Sequence, residues 1–447
     1  MKSAVEIFRF ASIEAFFCLL ALVFPALWLA TGGGVKVLVR ILLLMSLILL
    51  VRRQEMRRDV LIVFCMIFSV GLIGEYFWQY LTVPERLFHG RFPSNYIYFF
   101  SFFLVLAYGT VAWRRISPFL LLTGALVGLL AFLIWHTPSQ QWILSWHGER
   151  VDFGFRNAEH AGIFFGAGLL CTLFFGIRIY RSCPVSLRFV AIGGIVLLLL
   201  LMMWGVIATQ VRAVWLALLV ALSASLLIAM MTGGAKTIMT WLRNRNHVIL
   251  VLLMIALSVV ILDALKVRDR LAARLAQETI QVETIRGAAN FDEQIQLTSS
   301  GARIAMWRAA RDWIAERPMF GWGVFSAENL IDADERFTPI FKEWFGHLHN
   351  SYIEALVATG IVGLVGMLSI VGLIGRSVYV AWQEGAMPRD VFFFSWAFIV
   401  FWGIVNFFES YINYKTGFYL NSVMFGFMYA FYLQRPTAPR RADEAIG

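Results

Sequence analysis

Charge is scarce in this sequence. Asp, Glu, Lys and Arg make up 15% of its 447 residues, against roughly 25% in a soluble domain, and the mean hydropathy is +0.73. That shortage, with many long apolar runs, excludes an ordinary soluble fold and puts the chain in a bilayer. Cysteine is scarce too. Cys18, Cys65 and Cys171 fall in apolar runs and Cys183 in a basic loop. These positions exclude a disulfide framework, and no CxxC spacing offers a metal or redox pair. The chain has no HExxH, no GxSxG elbow, no low-complexity run and no internal repeat. Its two halves do not look alike, which argues against a repeat-built transporter. The apolar runs do not alternate with polar residues, which excludes a barrel.

What is present is a series of apolar segments near the length of about 20 residues that roughly 30 Å of hydrocarbon requires. About twelve can be read, near 10–30, 34–51, 59–80, 95–113, 117–136, 160–178, 189–208, 213–232, 247–265, 351–375, 391–409 and 416–433. Every second connection is basic: Arg52, Arg53, Arg57 and Arg58; Arg114 and Arg115; Arg178, Arg181 and Arg188; Lys236, Arg243 and Arg245; Arg376 and Arg389. Positive loops stay in the cytoplasm, so both termini are predicted there. The first span fits this alternation as an anchor and lacks a clear cleavage site for a signal peptide. The net charge of +10 is mostly a topology signal, and no nucleic-acid motif accompanies it. The predicted fold is an all-α integral membrane protein of about twelve transmembrane helices. Nine spans occupy 1–265, a large helical outward loop 266–350, three spans 351–434 and a cytoplasmic tail 435–447.

Polar residues gather at the outward span ends. Within the large loop, VRDRLAARLAQETIQVETI and ARIAMWRAARDWIAERP read as helices. Thr298, Ser299 and Ser300 are candidate caps for the second, and Pro318 follows it. PMFGWGVF then reads as a turn, freed by Gly321 and Gly323. Arg212 in IATQVRAVWLALL either snorkels to lipid phosphate or fixes an anion; its flanking loop is short, which suits a fixed site. Arg156 in DFGFRNAEHAG either pairs with Glu159 or Asp152 or faces an anion. Arg303 lies on a helix face, either solvated or turned to a ligand. The acidic run Asp332, Asp334 and Glu335 reads as a solvated face. In HLHNSYIEALVATGIVG, His349 is either a capping imidazole or a proton acceptor near neutral pH. His347, two residues earlier, points elsewhere on a helix and reads as structural. Gly360 and Gly363 are spaced for close helix packing. The two histidines lack i, i+4 ligand spacing, so no metal is expected.

These stretches resemble the O-antigen ligase and polymerase family of integral membrane glycosyltransferases. HNSYIEALVATGIVG fits that family's H-N-x9-G-x-x-G motif at His349, Asn350, Gly360 and Gly363. RIAMWRAARDWIAERPMFGWGVF resembles its arginine, tryptophan helix and Pro–Gly–x–Gly turn. QVRAVWLALL resembles its outward arginine stretch, with Gln210 and Val211 in place of a small polar residue and Ala213 in place of glycine. FGFRNAEHAG resembles the start of a mid-chain span in that family, with Arg156 added and no proline.

The resemblance implies a GT-C-like membrane fold with its active site at the periplasmic face of the bacterial inner membrane. The donor would be an undecaprenyl-diphosphate-linked glycan and the acceptor a sugar hydroxyl of lipid A-core, with membrane lipids around both. No cofactor, metal or nucleotide sugar is implied. His349 would be the general base, and Arg212, Arg303 and Arg156 would hold the diphosphate. Asn350, Gly360 and Gly363 would support the site, and Arg268, Arg270 and Arg286 are further phosphate candidates. The alternatives are an O-antigen polymerase, which extends the donor's own glycan, and, in another class, a transporter or flippase for a lipid-linked oligosaccharide.

Overall fold

The computed structural model describes residues 4–112, 116–234 and 299–436. The predicted span 247–265, the first loop helix, and Arg268, Arg270 and Arg286 lie outside them. Every element among the described residues is helical. The helices α1 (Ala4–Ala30), α2 (Lys36–Arg52), α3 (Val60–Thr82), α4 (Ser94–Val111), α5 (Phe119–Trp135), α6 (Ser139–His147), α7 (Ala158–Ser182), α8 (Arg188–Ala208) and α9 (Arg212–Ala229) come first. A cap follows, made of α10 (Ser299–Glu316), α11 (Ser326–Ala333) and α12 (Pro339–Trp344). The chain then returns through α13 (Ser351–Gln383), α14 (Arg389–Val405) and α15 (Lys415–Leu433).

A helix satisfies all of its backbone polar groups within one segment, which is what an apolar run in lipid requires. Eleven of the predicted spans coincide with helices. Seven helices among the described residues are long and apolar enough to cross a membrane, or eight if the bent pair α5–α6, turned by 94°, is one span. The predicted spans on α2 and α14, of 17 residues each, and on α15, of 19, are not among them. Leu44, Ile67, Val70, Leu197 and Leu219 stand more than half exposed, as lipid-facing side chains do. The core is aromatic: α15 is buried along nearly its whole length, and Phe103 of α4 meets its Phe425 and Tyr429 edge to face.

Among the described residues the connections gather at two ends. At one end Arg53 pairs with Glu14, and Arg178 Nε donates to Asp390 Oδ2 at 2.7 Å. Asp59 there caps α3 and accepts from Tyr108 and Tyr429. At the other end Val151 N donates to Ala208 O at 3.2 Å, Tyr411 Oη to Glu159 O at 3.1 Å and Gln79 Nε2 to Ala358 O at 3.0 Å.

The cap sits at this second end on a small core of its own, in which Met306, Ala310, Ile331, Phe341 and Leu348 are fully buried. Helix α10 ends at Glu316, just before Pro318, as expected. Asp334 is engaged by Arg336 rather than merely solvated. One expectation is corrected. Gly360 is not a seam between two helices: it has φ +62° and ψ −165° inside α13 and breaks it. The turn 318–323 fills the break. Trp322 N and Gly323 N donate to Val357 O and Ala358 O at 2.8 and 2.9 Å. In return Ile361 N and Val362 N donate to Pro318 O and Met319 O at 2.8 and 3.3 Å. These four bonds replace two rungs of the i→i−4 ladder, so the irregular backbone stays satisfied at membrane depth. A Cβ on Gly360 would lie 2.3 Å from the Met319 carbonyl, and one on Gly363 would meet the Thr359 side chain.

Candidate functional site

The loop 345–350 carries the histidines from the cap into α13. Asn350 is buried and caps that helix, its Oδ1 accepting from Tyr352 N and Ile353 N at 2.9 and 3.1 Å, which holds the first turn in register. His349, just before it, has φ +48°, a left-handed conformation uncommon for a residue with a side chain. Several bonds enforce that shape. Asn350 N donates to Ser410 Oγ at 3.2 Å and Ser351 N to Asn406 O at 2.8 Å. Trp307 of α10 donates its indole N–H to Leu348 O at 2.9 Å, and Leu348 N donates to the buried Glu354 at 2.9 Å.

The residue that sequence reasoning missed is Glu409. Its side chain is 1% exposed, and its Oε2 lies 3.1 Å from His349 Nδ1 and its Oε1 3.4 Å from His347 Nδ1. Burial alone would push this carboxyl up. The His349 hydrogen bond outweighs it and holds the group down at about 2, so Glu409 is an anion. Burial and the neighbouring His349 lower His347 to about 3, so its imidazole is neutral at physiological pH. The two rings are 4.0 Å apart, which corrects the reading of His347 as pointing away. With Nδ1 engaged by a carboxylate, the His349 tautomer is fixed, and its ε nitrogen is the one left to take a proton. His347, His349 and Glu409 also offer three donor atoms within 4.8 Å of one another, close enough to hold an ion, a constellation that the histidine spacing did not suggest.

The three arginines differ in their surroundings. Glu159 pairs with Arg150, and Asp152 accepts from Gln141 and Gly154, so neither expected partner holds Arg156. Its guanidinium lies 4.5 Å over the Tyr414 ring, and that ring packs on His347 at 5.4 Å. Burial raises the Tyr414 hydroxyl and Arg156 opposes that rise. Arg303 lies one helical turn before Trp307, and its charge reaches Tyr411. Neither Arg156 nor Arg303 has a carboxylate partner among the described residues. Arg212 is the first residue of α9, after a loop tied to 148–151 by Gln210 and Arg150. A cavity of about 520 Å³ lined by Arg156, His136, Asn413, Tyr414 and Lys415 opens at this end. A second, of about 410 Å³, shares Asn413, Tyr414 and Lys415 and adds Lys36 and Arg40.

Residues 197–368 match the family model described as O-antigen ligase. The chain carries an O-antigen ligase family domain. The match takes in Arg212, Arg303, His349, Asn350, Gly360 and Gly363 and leaves Arg156 and Glu409 outside. A protein of Haemophilus influenzae described as uncharacterized is 36% identical over 76 residues, which is 17% of this chain and 19% of that protein. The chain thus matches about a fifth of that relative's length.

Proposed function

We propose that this chain, through its O-antigen ligase family domain, joins a lipid-diphosphate-linked glycan to a sugar hydroxyl of lipid A-core, at the outer face of the bacterial inner membrane. The observation that carries the reading is the His349–Glu409 couple, an imidazole fixed at Nδ1 by a buried carboxylate. His349 Nε2 takes the proton of the acceptor hydroxyl as its oxygen attacks the anomeric carbon from the side opposite the diphosphate. The bond from that carbon to the diphosphate oxygen breaks, and the configuration inverts. Charge gathers on the leaving diphosphate, where Arg303, Arg212 and Arg156 meet it; guanidinium forks stay protonated and grip phosphate oxygens in pairs. A positioned base contributes roughly 10²–10⁴ in rate, and loss of one electrostatic donor costs about 10²–10³.

The test is transfer between two defined lipids by reconstituted protein. The wild type should form the joined product in EDTA, and His349→Ala should lose at least about 10²-fold in kcat. Arg212→Lys should also be slow, because lysine keeps the charge and loses the fork. Wild-type turnover by His349→Ala removes the base, and loss of activity in EDTA restored by a divalent ion assigns the His–His–Glu trio to a metal instead. A deletion strain separates ligase from polymerase: long glycan stranded on the carrier lipid supports the ligase, and single repeats on lipid A-core the polymerase.

A further inference from the structure

We infer that Glu354 is a positioning residue for the proton transfer at His349, one of its carboxyl oxygens joining the histidine's segment to that of Glu409. This rests on the role given to His349 above. Glu354 lies in the first turn of α13 and is 1% exposed. Its Oε2 accepts from Leu348 N at 2.9 Å and from Ser410 Oγ at 3.1 Å. Leu348 is the residue before His349, and Ser410 is the residue after Glu409. One oxygen atom is therefore tied to the chain neighbour of each member of the couple.

Ser410 carries the link further. A hydroxyl has one proton to give, and giving it to Glu354 leaves the serine's lone pairs free to accept. They take Asn350 N at 3.2 Å. The backbone N of Ser410 donates to Glu409 Oε1 at 2.8 Å, and Glu409 Oε2 is the oxygen that meets His349 Nδ1 at 3.1 Å. His349 precedes α13 and Glu409 follows α14, so no single helix holds the two in register. Among the described residues Glu354 has no cation partner. A carboxyl buried without one costs free energy that an apolar side chain would not. Packing alone leaves that cost unexplained, whereas a junction that needs an acceptor at one point requires it. Methionine fills a similar volume and brings no oxygen to the junction; glutamine keeps one.

The test is the two-lipid assay on full-length Glu354→Met and Glu354→Gln, joined to nitrogen NMR of the histidine side chains. Glu354→Met should lower kcat about 10- to 10²-fold, as a misplaced base does, with KM for both lipids unchanged. Glu354→Gln should lose less. In a Glu409→Gln background Glu354→Met should cost at most about 3-fold more, because both changes act through one imidazole. The His349 ring should hold its proton on Nδ1 alone in the wild type and on either nitrogen in Glu354→Met. If Glu354→Met does not fold, Ser410→Ala removes the hydroxyl from the same junction and is read in the same way. Equal loss in the two Glu354 variants, a loss that multiplies in full on Glu409→Gln, or an unchanged tautomer overturns the junction. A wild type that transfers no glycan, with the tautomer still mixed by Glu354→Met, upholds the junction and overturns the transferase reading instead.

Discussion

Glu409 does for His349 what no residue of the histidine's own segment does: it fixes the tautomer. Glu409→Gln keeps the size and removes the anion, so it should lower kcat by about 10²–10⁴ with little change in KM, measured in the two-lipid assay. It should also alter the pH dependence of stability. The folded pKa of Glu409 is held below the ordinary carboxyl value by the His349 hydrogen bond, against the rise that burial would bring, so its carboxylate stabilises the fold above the ordinary carboxyl range, and this is lost as pH falls toward 2. The unfolding midpoint of wild type should therefore exceed that of Glu409→Gln most above about pH 5, and the gap should close as pH falls toward 2. His349 was legible because a histidine–asparagine pair opens an apolar run. Glu409 was not: it lies sixty residues on, at the end of a run that reads as one more span, and nothing local marks its partner.

Glycines three apart suit both a packing seam and a break, and the sequence cannot choose between them. Only the turn 318–323, distant in sequence, makes Gly360 a break. Gly360→Ala puts a side chain at φ +62° against the Met319 carbonyl and should cost several kcal/mol. Limited proteolysis should then cut near 318–323, and transfer should fall. Gly372→Ala in the same helix is the control: nothing lies within 4 Å of the methyl it adds, so it should be neutral or stabilising by up to about 1 kcal/mol. If both variants behave alike, the turn does not hold the helix.

The scale of the whole molecule was the most legible, because hydropathy and arginine placement act over tens of residues and need no partner. Eleven of the twelve predicted spans fall on helices, and the connection that carries Lys236, Arg243 and Arg245 lies outside the described residues. The 94° bend between α5 and α6 was not legible, since Thr137 and Pro138 give no sign of how far the chain turns. The orientation proposed here is checked in intact cells: a cysteine at Ser139 should react with a membrane-impermeant maleimide, while one at Gly385 should react only after lysis. The reverse pattern would put the histidines in the cytoplasm, away from any acceptor on the outer face.

The interlock of the 318–323 turn with α13 has a bearing on hybrids between relatives. Each side donates two backbone protons to the other, so the two segments are halves of a single joint. A crossover anywhere in 324–350 would splice one parent's half to the other's. Such hybrids should insert in the membrane with every helix intact and still misplace His349, whereas those cut upstream of Pro318 inherit the joint whole.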